Sequence, residues 1–341
     1  MGFTQRLLLL SSAALIAVSA PSAAIAAPTS GATNAAPPSG HATASRLLTG
    51  LQGGSGSTIG PDRALYVTET AAGRITRVDP KTGATTTYAS GLPKSIIGLG
   101  GAMDIAFIGH TAYVLVTLVG PDVGGSDVDG IYRVDGPHSF TVVADIGKFA
   151  INNPPDTPFD VPSGLQYALQ PYRGGFLVTD GHHNRVYRVT LDGVVTELIA
   201  FGNIVPTGLA VRGKTIYMAE AGPVPHLPEN GKVVSFGPKS TTATEVASGS
   251  PLLVDVEFGR GRTLYALSQG VGSGGPPGSP ALPNTGALVK VNRHGNLTVV
   301  TDRLNQPTSL EFIGNTAYVV TLGGEIWKIK GVSSPPYGMA R

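Results

Sequence analysis

The sequence predicts an all-β protein folded as a six-bladed β-propeller, and three observations lead to that prediction. The composition, with 47 Gly, 27 Pro and 13% charged residues, is rich in turn formers and poor in helix formers. Short apolar strands with alternating polarity recur in six matched segments. A segment near the N-terminus resembles the one strand that the last repeat lacks. A length of 341 residues is enough for such a propeller.

The first residues have the features of a secretory signal peptide. Arg6 precedes an apolar run from Leu7 to Val18 that is too short to span a bilayer, and Ala24 and Ala26 supply the small residues that signal peptidase requires. We therefore expect residues 1–26 to be cleaved and the protein to be secreted, without a transmembrane segment.

The rest of the chain divides into three parts. Residues 27–44 contain almost nothing large and apolar, which predicts a disordered leader. The propeller is expected to span residues 45–332, with a C-terminal tail at 333–341. The chain contains no cysteine, so its stability cannot depend on disulfides.

The repeats are clearest in their second strands. Five of the six place a Tyr at the matching position, and the third has Leu instead. These matching residues are Tyr66, Tyr113, Leu177, Tyr217, Tyr265 and Tyr318. Each is preceded by an inner strand and followed by a third strand with period-two alternation, and a polar turn and an outer strand typically follow. Four strands per repeat form a propeller blade.

The sixth repeat ends after Ile329 without an outer strand of its own, whereas Ser45–Leu51 resembles the outer-strand segment Thr87–Leu92. The N-terminal strand is therefore predicted to complete blade six, which closes the ring and removes both open sheet edges. A β-sandwich does not explain six matched units, and a right-handed β-helix needs shorter and more regular coils.

The predicted loops differ strongly between the two faces of the propeller. Turns between first and second strands are mostly short. Long insertions occur between second and third strands and between blades, and we call the face that carries them the long-loop face. The insertions are Val119–Asp129, Ile146–Pro162, Ala221–Asn230 and Gln269–Thr285. Long loops gathered on a rigid face often carry function, so a small molecule, a glycan or a partner protein is expected to bind there.

Five carboxylates are candidate ligand-binding residues. Inner-strand positions bring Asp104 and Asp255 near the central channel, and the ends of second strands place Glu69, Asp180 and Glu220 further out. Converging carboxylates are suitable ligands for Ca²⁺. The alternative, which we favour, is that each carboxylate accepts backbone N–H groups or is solvated. We therefore predict no cofactor, with Ca²⁺ as the alternative.

The segment Asp180–Arg185, with sequence DGHHNR, is the most distinctive local motif. Adjacent side chains such as His182 and His183 point apart in an extended segment and do not easily share one metal ion, which favours a structural loop. No Gly-X-Ser-X-Gly elbow, His-Glu-X-X-His motif or phosphate-cradling Gly-rich loop before a helix occurs. A net charge of +2 without clustered basic and aromatic residues also argues against a nucleic-acid partner.

Several segments together resemble a known family. Asp180–Val189 resembles the NHL-repeat pattern, and Gly73–Asp79 is a weaker copy. With Leu48–Val67, Asp160–Leu165 and Pro206–Val211, the chain is similar to the ScyD/ScyE family of exported bacterial β-propellers over residues 45–330. The resemblance implies a propeller fold and export, and it supplies no catalytic residue.

Two functions remain open from the sequence. The favoured one is a monomeric, noncatalytic binding or scaffold module that uses the long-loop face. The other is a metal-dependent, lactonase-like hydrolase in which Asp104 and Asp255 hold a cation in the channel. The residues predicted at the other inner positions offer few metal ligands, which counts against the hydrolase. They are Ser57, Gly164, Gly208 and Ser309.

Overall fold

The computed structural model describes residues 42–333. The predicted signal peptide, most of the predicted leader and all but the first residue of the predicted tail lie outside this range. Within it, 24 strands form six four-stranded antiparallel sheets, which are the blades of a six-bladed propeller. The predicted fold class is confirmed.

Each blade runs from an inner strand at the central channel to an outer strand at the rim, and the strands follow in chain order. Blade 1 comprises β2 (Gly54–Ile59), β3 (Leu65–Glu69), β4 (Arg74–Val78) and β5 (Thr85–Ser90). Blade 2 comprises β6 (Gly101–Ile108), β7 (Thr111–Thr117), β8 (Gly130–Gly136) and β9 (Ser139–Asp145). Blade 3 comprises β10 (Gln166–Tyr172), β11 (Gly175–Asp180), β12 (Arg185–Thr190) and β13 (Val195–Ala200).

The other three blades repeat this arrangement. Blade 4 comprises β14 (Pro206–Arg212), β15 (Thr215–Glu220), β16 (Lys232–Phe236) and β17 (Thr244–Ser248). Blade 5 comprises β18 (Leu253–Phe258), β19 (Leu264–Ser268), β20 (Gly286–Val291) and β21 (Leu297–Leu304). Blade 6 comprises β22 (Pro307–Ile313), β23 (Thr316–Thr321), β24 (Ile326–Lys330) and, as its outer strand, β1 (Thr43–Leu48).

The N-terminal strand closes the ring as the sequence predicts. β1 pairs antiparallel with β24, with Thr43 opposite Lys330 and Leu48 opposite Ile326. The guanidinium of Arg46 adds an ion pair with Glu325 (3.2 Å) and lies over the Trp327 ring. The strand begins at Thr43, so the last two residues of the predicted leader belong to the propeller.

The recurring tyrosines pack between neighbouring blades. The Tyr66 ring meets Phe107 of blade 2 at a centroid distance of 4.9 Å. Tyr265 meets Phe312 of blade 6 at the same distance, and Tyr217 meets a phenylalanine of blade 5 at 5.1 Å. Aromatic pairs of this kind bury large apolar areas, which explains why Tyr recurs at this position of the repeat.

Helices are few among the described residues. α1 (Ile146–Asn152) lies in an insertion that the sequence indicated only as a loop, and the Asp145 carboxylate caps it by accepting the Lys148 N–H at 2.8 Å. Short 3₁₀ turns occupy Pro121–Val123, Pro228–Asn230 and Arg260–Arg262. Within residues 42–333, no helix has the length and apolarity needed to cross a membrane.

The insertions of the long-loop face contact one another. A Cβ built on Gly278 would lie 3.2 Å from Leu99 Cδ2, so the blade 5 insertion reaches the loop between blades 1 and 2. Gly272 of the same insertion approaches the Pro225 carbonyl of the blade 4 insertion. Because blade 5 lies nearly opposite the junction of blades 1 and 2, this insertion crosses the long-loop end of the channel.

Two inner-strand alignments differ from the sequence prediction. In blade 3, Gly164 has φ +78° and precedes the strand, and Ala168 occupies the position matching Asp104. In blade 1, Gly56 rather than Ser57 takes that position, because β2 contains a bulge. Glycine at 164 is required by its left-handed backbone and by the Asp180 carboxylate, 2.1 Å from where a Cβ would lie.

Candidate functional site: an acidic axial cavity

A cavity of about 250 Å³ lies on the propeller axis. Its lining residues come from all six inner strands: Ser57–Ile59, Asp104–Phe107, Ala168–Pro171, Leu209, Asp255 with Glu257, and Ser309–Glu311. Most lie in the second halves of these strands, which end at the turns between first and second strands. The cavity is therefore at the end of the channel opposite to the long-loop face.

Asp104 and Asp255 both line this cavity, and the structure brings these two predicted residues to opposite sides of one channel. Each carboxylate is held by two backbone N–H donors. Asp104 accepts from Ile105 (2.8 Å) and from Leu169 of the next blade (2.7 Å). Asp255 accepts from Val256 and from Leu310 at the same two distances.

These contacts repeat with approximate two-fold symmetry, because blades 1–3 and 4–6 use the same arrangement. The Asp104 carboxylate lies against Gly56 of blade 1, and a Cβ there would be 2.1 Å from its Oδ1. The Asp255 carboxylate lies in the same way against Gly208 of blade 4, at 2.4 Å. Each aspartate thus links three consecutive blades, which gives it a structural role beside any role in binding.

Two further carboxylates line the cavity and were not among the predicted site residues. Glu257 follows Asp255 by two residues on β18, and Glu311 lies on the adjacent inner strand β22. Period-two alternation along an inner strand places residues i and i+2 on the same side, so the sequence contained a signal for Glu257. The equivalent positions in the other half of the ring are Ala106 and Gln170.

The cavity has a strongly acidic character. Among the described residues, no Lys or Arg lines it to balance the four carboxylates. Burial raises the pKa of Asp104 to about 8 and that of Asp255 to about 7, although their backbone N–H donors oppose the change. Burial also raises the pKa of Glu257 and Glu311, and the Glu257 charge adds to the effect on Glu311.

These shifts predict that stability falls with rising pH. A carboxyl group whose pKa is higher in the folded than in the unfolded chain binds protons on folding, so its contribution is present below an unfolded pKa of about 4. It is lost as the pH rises through about 7 and about 8, the folded pKa values of Asp255 and Asp104. We expect a lower unfolding temperature at about pH 9 than at about pH 5, measured by circular dichroism at constant ionic strength.

The double variant E257Q/E311Q tests the source of this dependence. It removes two of the four carboxyl groups while keeping their shape, so the loss of stability with rising pH should become shallower. Asp156→Asn combined with Asp302→Asn removes two exposed carboxylates elsewhere and should leave the slope unchanged. An unfolding temperature that rises between these two pH values in the wild-type protein would contradict the prediction.

The other three predicted site residues lie at the ends of second strands on three separate blades, away from the cavity. Glu69 is buried and accepts from Arg74 Nη2 (2.6 Å), Thr76 Oγ1 and the Gln52 N–H. Burial alone would raise its pKa, but these donors outweigh it and hold the pKa below its ordinary value. Glu69 is therefore a structural residue.

Asp180 is fully buried and organises the DGHHNR segment. Its Oδ1 accepts from the backbone N–H groups of Leu165, His182 and His183. Its Oδ2 accepts from Gln166 Nε2 (3.0 Å) and the Tyr187 hydroxyl (2.9 Å). The segment is a hydrogen-bonded structural loop, which is the reading that the sequence favoured.

The two histidines of this segment hold the insertion before blade 3. His182 Nε2 accepts the N–H groups of Asp160 and Val161, at 2.8 and 3.0 Å. His183 lies 3.0 Å from the Val161 carbonyl, to which its Nε2 donates, and its Nδ1 accepts from Arg185. Hydrogen bonds from both rings hold this insertion in place, which supports a structural role for the two histidines.

Glu220 is buried at the end of β15. Burial raises its pKa to about 7, and the nearby Lys232 charge opposes that rise. Like Glu69 and Asp180, it does not line the axial cavity.

The residues of the cavity do not form a metal centre. Within residues 42–333, no group of three or more His, Asp or Glu side chains is arranged to hold a metal ion. Both oxygens of Asp104 and of Asp255 already accept backbone N–H groups, and Ala168 and Gly208 supply no ligand at the matching positions of other blades. An anionic cofactor would meet four carboxylates and, in the described part of the chain, no basic side chain.

The long-loop face has a different chemistry. Of the twelve large apolar side chains exposed in the described residues, eight lie in its loops. These eight are Ile96, Ile97, Ile151, Phe159, Val224, Leu227, Val271 and Leu282. Gathered exposed apolar side chains are typical of interaction surfaces.

No protein-family model matches this sequence, and no curated protein is significantly similar to it. Comparison with solved structures finds six-bladed β-propellers. The virginiamycin B lyase of Staphylococcus aureus has 14% identity and a TM-score of 0.53, covering 85% of this chain and 98% of its own. The PQQ-bound aldose sugar dehydrogenase of Streptomyces coelicolor has 14% identity and a TM-score of 0.58, covering 86% and 99%.

A gluconolactonase of Xanthomonas campestris is similar at 13% identity with a TM-score of 0.59, covering 85% of this chain and 89% of its own. These three neighbours are a lyase, a dehydrogenase and a lactonase on one fold. At such identities the likeness establishes the β-propeller fold and leaves the activity open, because unrelated functions share this architecture.

Proposed function

We propose that this protein is an exported, noncatalytic β-propeller that binds a small cation in its axial cavity. The observation that carries the proposal is the set of four carboxylates that line the cavity with no basic side chain among the described residues. Buried carboxylates without a counter-charge favour either a bound cation or protonation. A cation that enters the cavity supplies the missing charge.

Two further features support parts of this proposal. The N-terminal pattern supports export, and the resemblance to the ScyD/ScyE family supports an exported propeller. The lactonase-like alternative has less support, because the cavity residues do not provide the ligand set that a resident metal ion needs. We therefore derive no hydrolytic step for this chain.

A second candidate function is docking of a partner protein on the long-loop face. The eight exposed apolar side chains in its loops favour this candidate. The two candidate surfaces lie at opposite ends of the propeller, so variants can separate them.

Isothermal titration calorimetry with a panel of small cations tests the cavity. Calcium chloride and n-butylammonium chloride are titrated near pH 8, with sodium n-butyrate as the anionic control. We expect at least one cation to bind and butyrate not to bind. Loss of one charged contact corresponds to roughly a tenfold change in affinity, so E257Q/E311Q, which removes two carboxylates, should weaken cation binding by roughly tenfold or more.

Two control variants test whether the cation binds in the axial cavity. Asp156→Asn with Asp302→Asn removes the same number of charges from exposed positions, and I151S/V271S changes two exposed side chains of the long-loop face. Both should bind the cation like the wild-type protein. Absence of binding by every cation overturns the proposal, and loss of binding in I151S/V271S alone would place the site on the long-loop face.

A further inference from the structure

The asymmetry of the axial cavity indicates which kind of cation it suits, and this inference rests on the proposed function. Because the inner strands have approximate two-fold symmetry, each position in blades 4–6 can be compared with its equivalent in blades 1–3. Blades 5 and 6 present Glu257 and Glu311 at the positions where blades 2 and 3 present Ala106 and Gln170. One side of the cavity therefore carries two more carboxylates than the opposite side.

The rest of the lining is uncharged apart from Asp104, which lies opposite blades 5 and 6. Its exposed surface is mostly polar and includes Thr58 and Gln170, with a smaller apolar part. A ligand that fills the cavity thus meets three carboxylates on the side of blades 5 and 6 and one on the opposite side. This distribution matches a molecule whose positive charge is concentrated at one end.

The cavity is too large for a bare ion. A volume of about 250 Å³ holds several water molecules or a small organic molecule. Metal ions also need several oxygen ligands converging at short distance, and the described residues do not provide such a group. An organic ammonium group requires only one or two carboxylates.

The two glutamates are the carboxylates with the most freedom to bind a ligand. Asp104 and Asp255 each use both oxygens to accept N–H groups from two blades. Glu257 accepts one such donor, the N–H of Phe258 at 2.9 Å, through Oε2. Glu311 is placed similarly, with the backbone N–H of Phe312 as its neighbour. Both retain partial exposure toward the cavity.

We propose that the ligand of the axial cavity is an organic ammonium compound whose ammonium group is held between Glu257 and Glu311. Its uncharged end lies toward blades 2 and 3, beside Gln170 and Pro171. Access is from the short-turn end of the channel, because the blade 5 insertion crosses the long-loop end.

Calorimetric titration of the full-length protein near pH 8 tests the proposal with three probes. They are n-butylammonium, the similarly sized neutral n-butanol, and Ca²⁺. We expect n-butylammonium to bind at least tenfold more tightly than either of the others, and E257Q/E311Q to lower its affinity roughly ten- to hundredfold.

The outcomes separate this inference from the proposed function. Tighter binding of Ca²⁺ than of n-butylammonium would overturn the inference while the cation-binding function stands. Equal binding of n-butanol would overturn both, since charge would then contribute nothing. Because E257Q/E311Q removes carboxylates that have no counter-charge, its unfolding temperature should be at least as high as that of the wild-type protein. A much lower unfolding temperature together with an unchanged affinity for n-butylammonium would also overturn the inference.

Discussion

Replacing Asp180 with alanine is expected to lower the free energy of unfolding by about 3–5 kcal/mol, the range for removing one partner from a buried charged network. Asp180 is fully buried and accepts five hydrogen bonds, from three backbone N–H groups and from the side chains of Gln166 and Tyr187. Alanine leaves those five donors without their acceptor. The loss extends to the buried Arg185, because the Tyr187 hydroxyl that accepts its Nε–H donates in turn to Asp180.

Urea unfolding monitored by circular dichroism measures this effect. Asp180→Asn keeps the shape of the side chain and one acceptor oxygen, so its free energy of unfolding should lie between those of Asp180→Ala and the wild-type protein. Asp160→Ala, an exposed aspartate of the adjacent insertion, should change the free energy of unfolding by less than about 0.5 kcal/mol. If Asp180→Ala were as stable as Asp160→Ala, the DGHHNR segment would not have the structural role assigned to it.

Removal of the closing strand is expected to have a comparably large effect. A chain lacking residues 1–49 loses β1, which leaves the backbone groups of β24 unpaired at an open edge. It also loses the contacts of Leu47 and Leu48 with the cluster that contains Tyr318 and Ile326. Loss of these two leucines alone is worth about 3 kcal/mol, which lowers the unfolding temperature of a domain of this size by roughly 5 °C.

The matched control lacks residues 1–41 and keeps β1. Its unfolding temperature should equal that of the full chain. The chain that lacks residues 1–49 should unfold at a lower temperature and associate through the exposed edge of β24. Differential scanning calorimetry and size-exclusion chromatography measure the two effects. Equal stability of both truncated chains would show that β1 contributes little to closure.

Much of the fold could be predicted because a propeller repeats one local pattern. The recurring Tyr positions predicted the second strands, since the same contact with the next blade recurs around the ring. The missing outer strand of the last repeat predicted closure by the N-terminus, and β1 confirms it. The inner strand of blade 3 was misplaced, because Ser163-Gly164-Leu165 imitates Thr207-Gly208-Leu209 although only the second lies in a strand.

The candidate site was only partly predictable. Asp104 and Asp255 were expected near the channel, and both line it. Glu69, Asp180 and Glu220 do not. Glu69 and Asp180 instead accept backbone N–H groups from Gln52 and Leu165, in the segments that lead into their own blades. Glu257 and Glu311 were missed, although alternation along the inner strands places Glu257 on the same side as Asp255.

The sequence by itself determined the number of blades, the strand that closes the ring and the face that carries the long loops. These properties depend on periodicity and chain order, which are local. Only the tertiary structure decided that the axial cavity lies at the opposite, short-turn end, and that four carboxylates from blades 2, 5 and 6 face it together. That arrangement depends on the register of each inner strand and on distances between residues far apart in sequence, and a bulge or a left-handed glycine shifts that register without altering the repeat pattern.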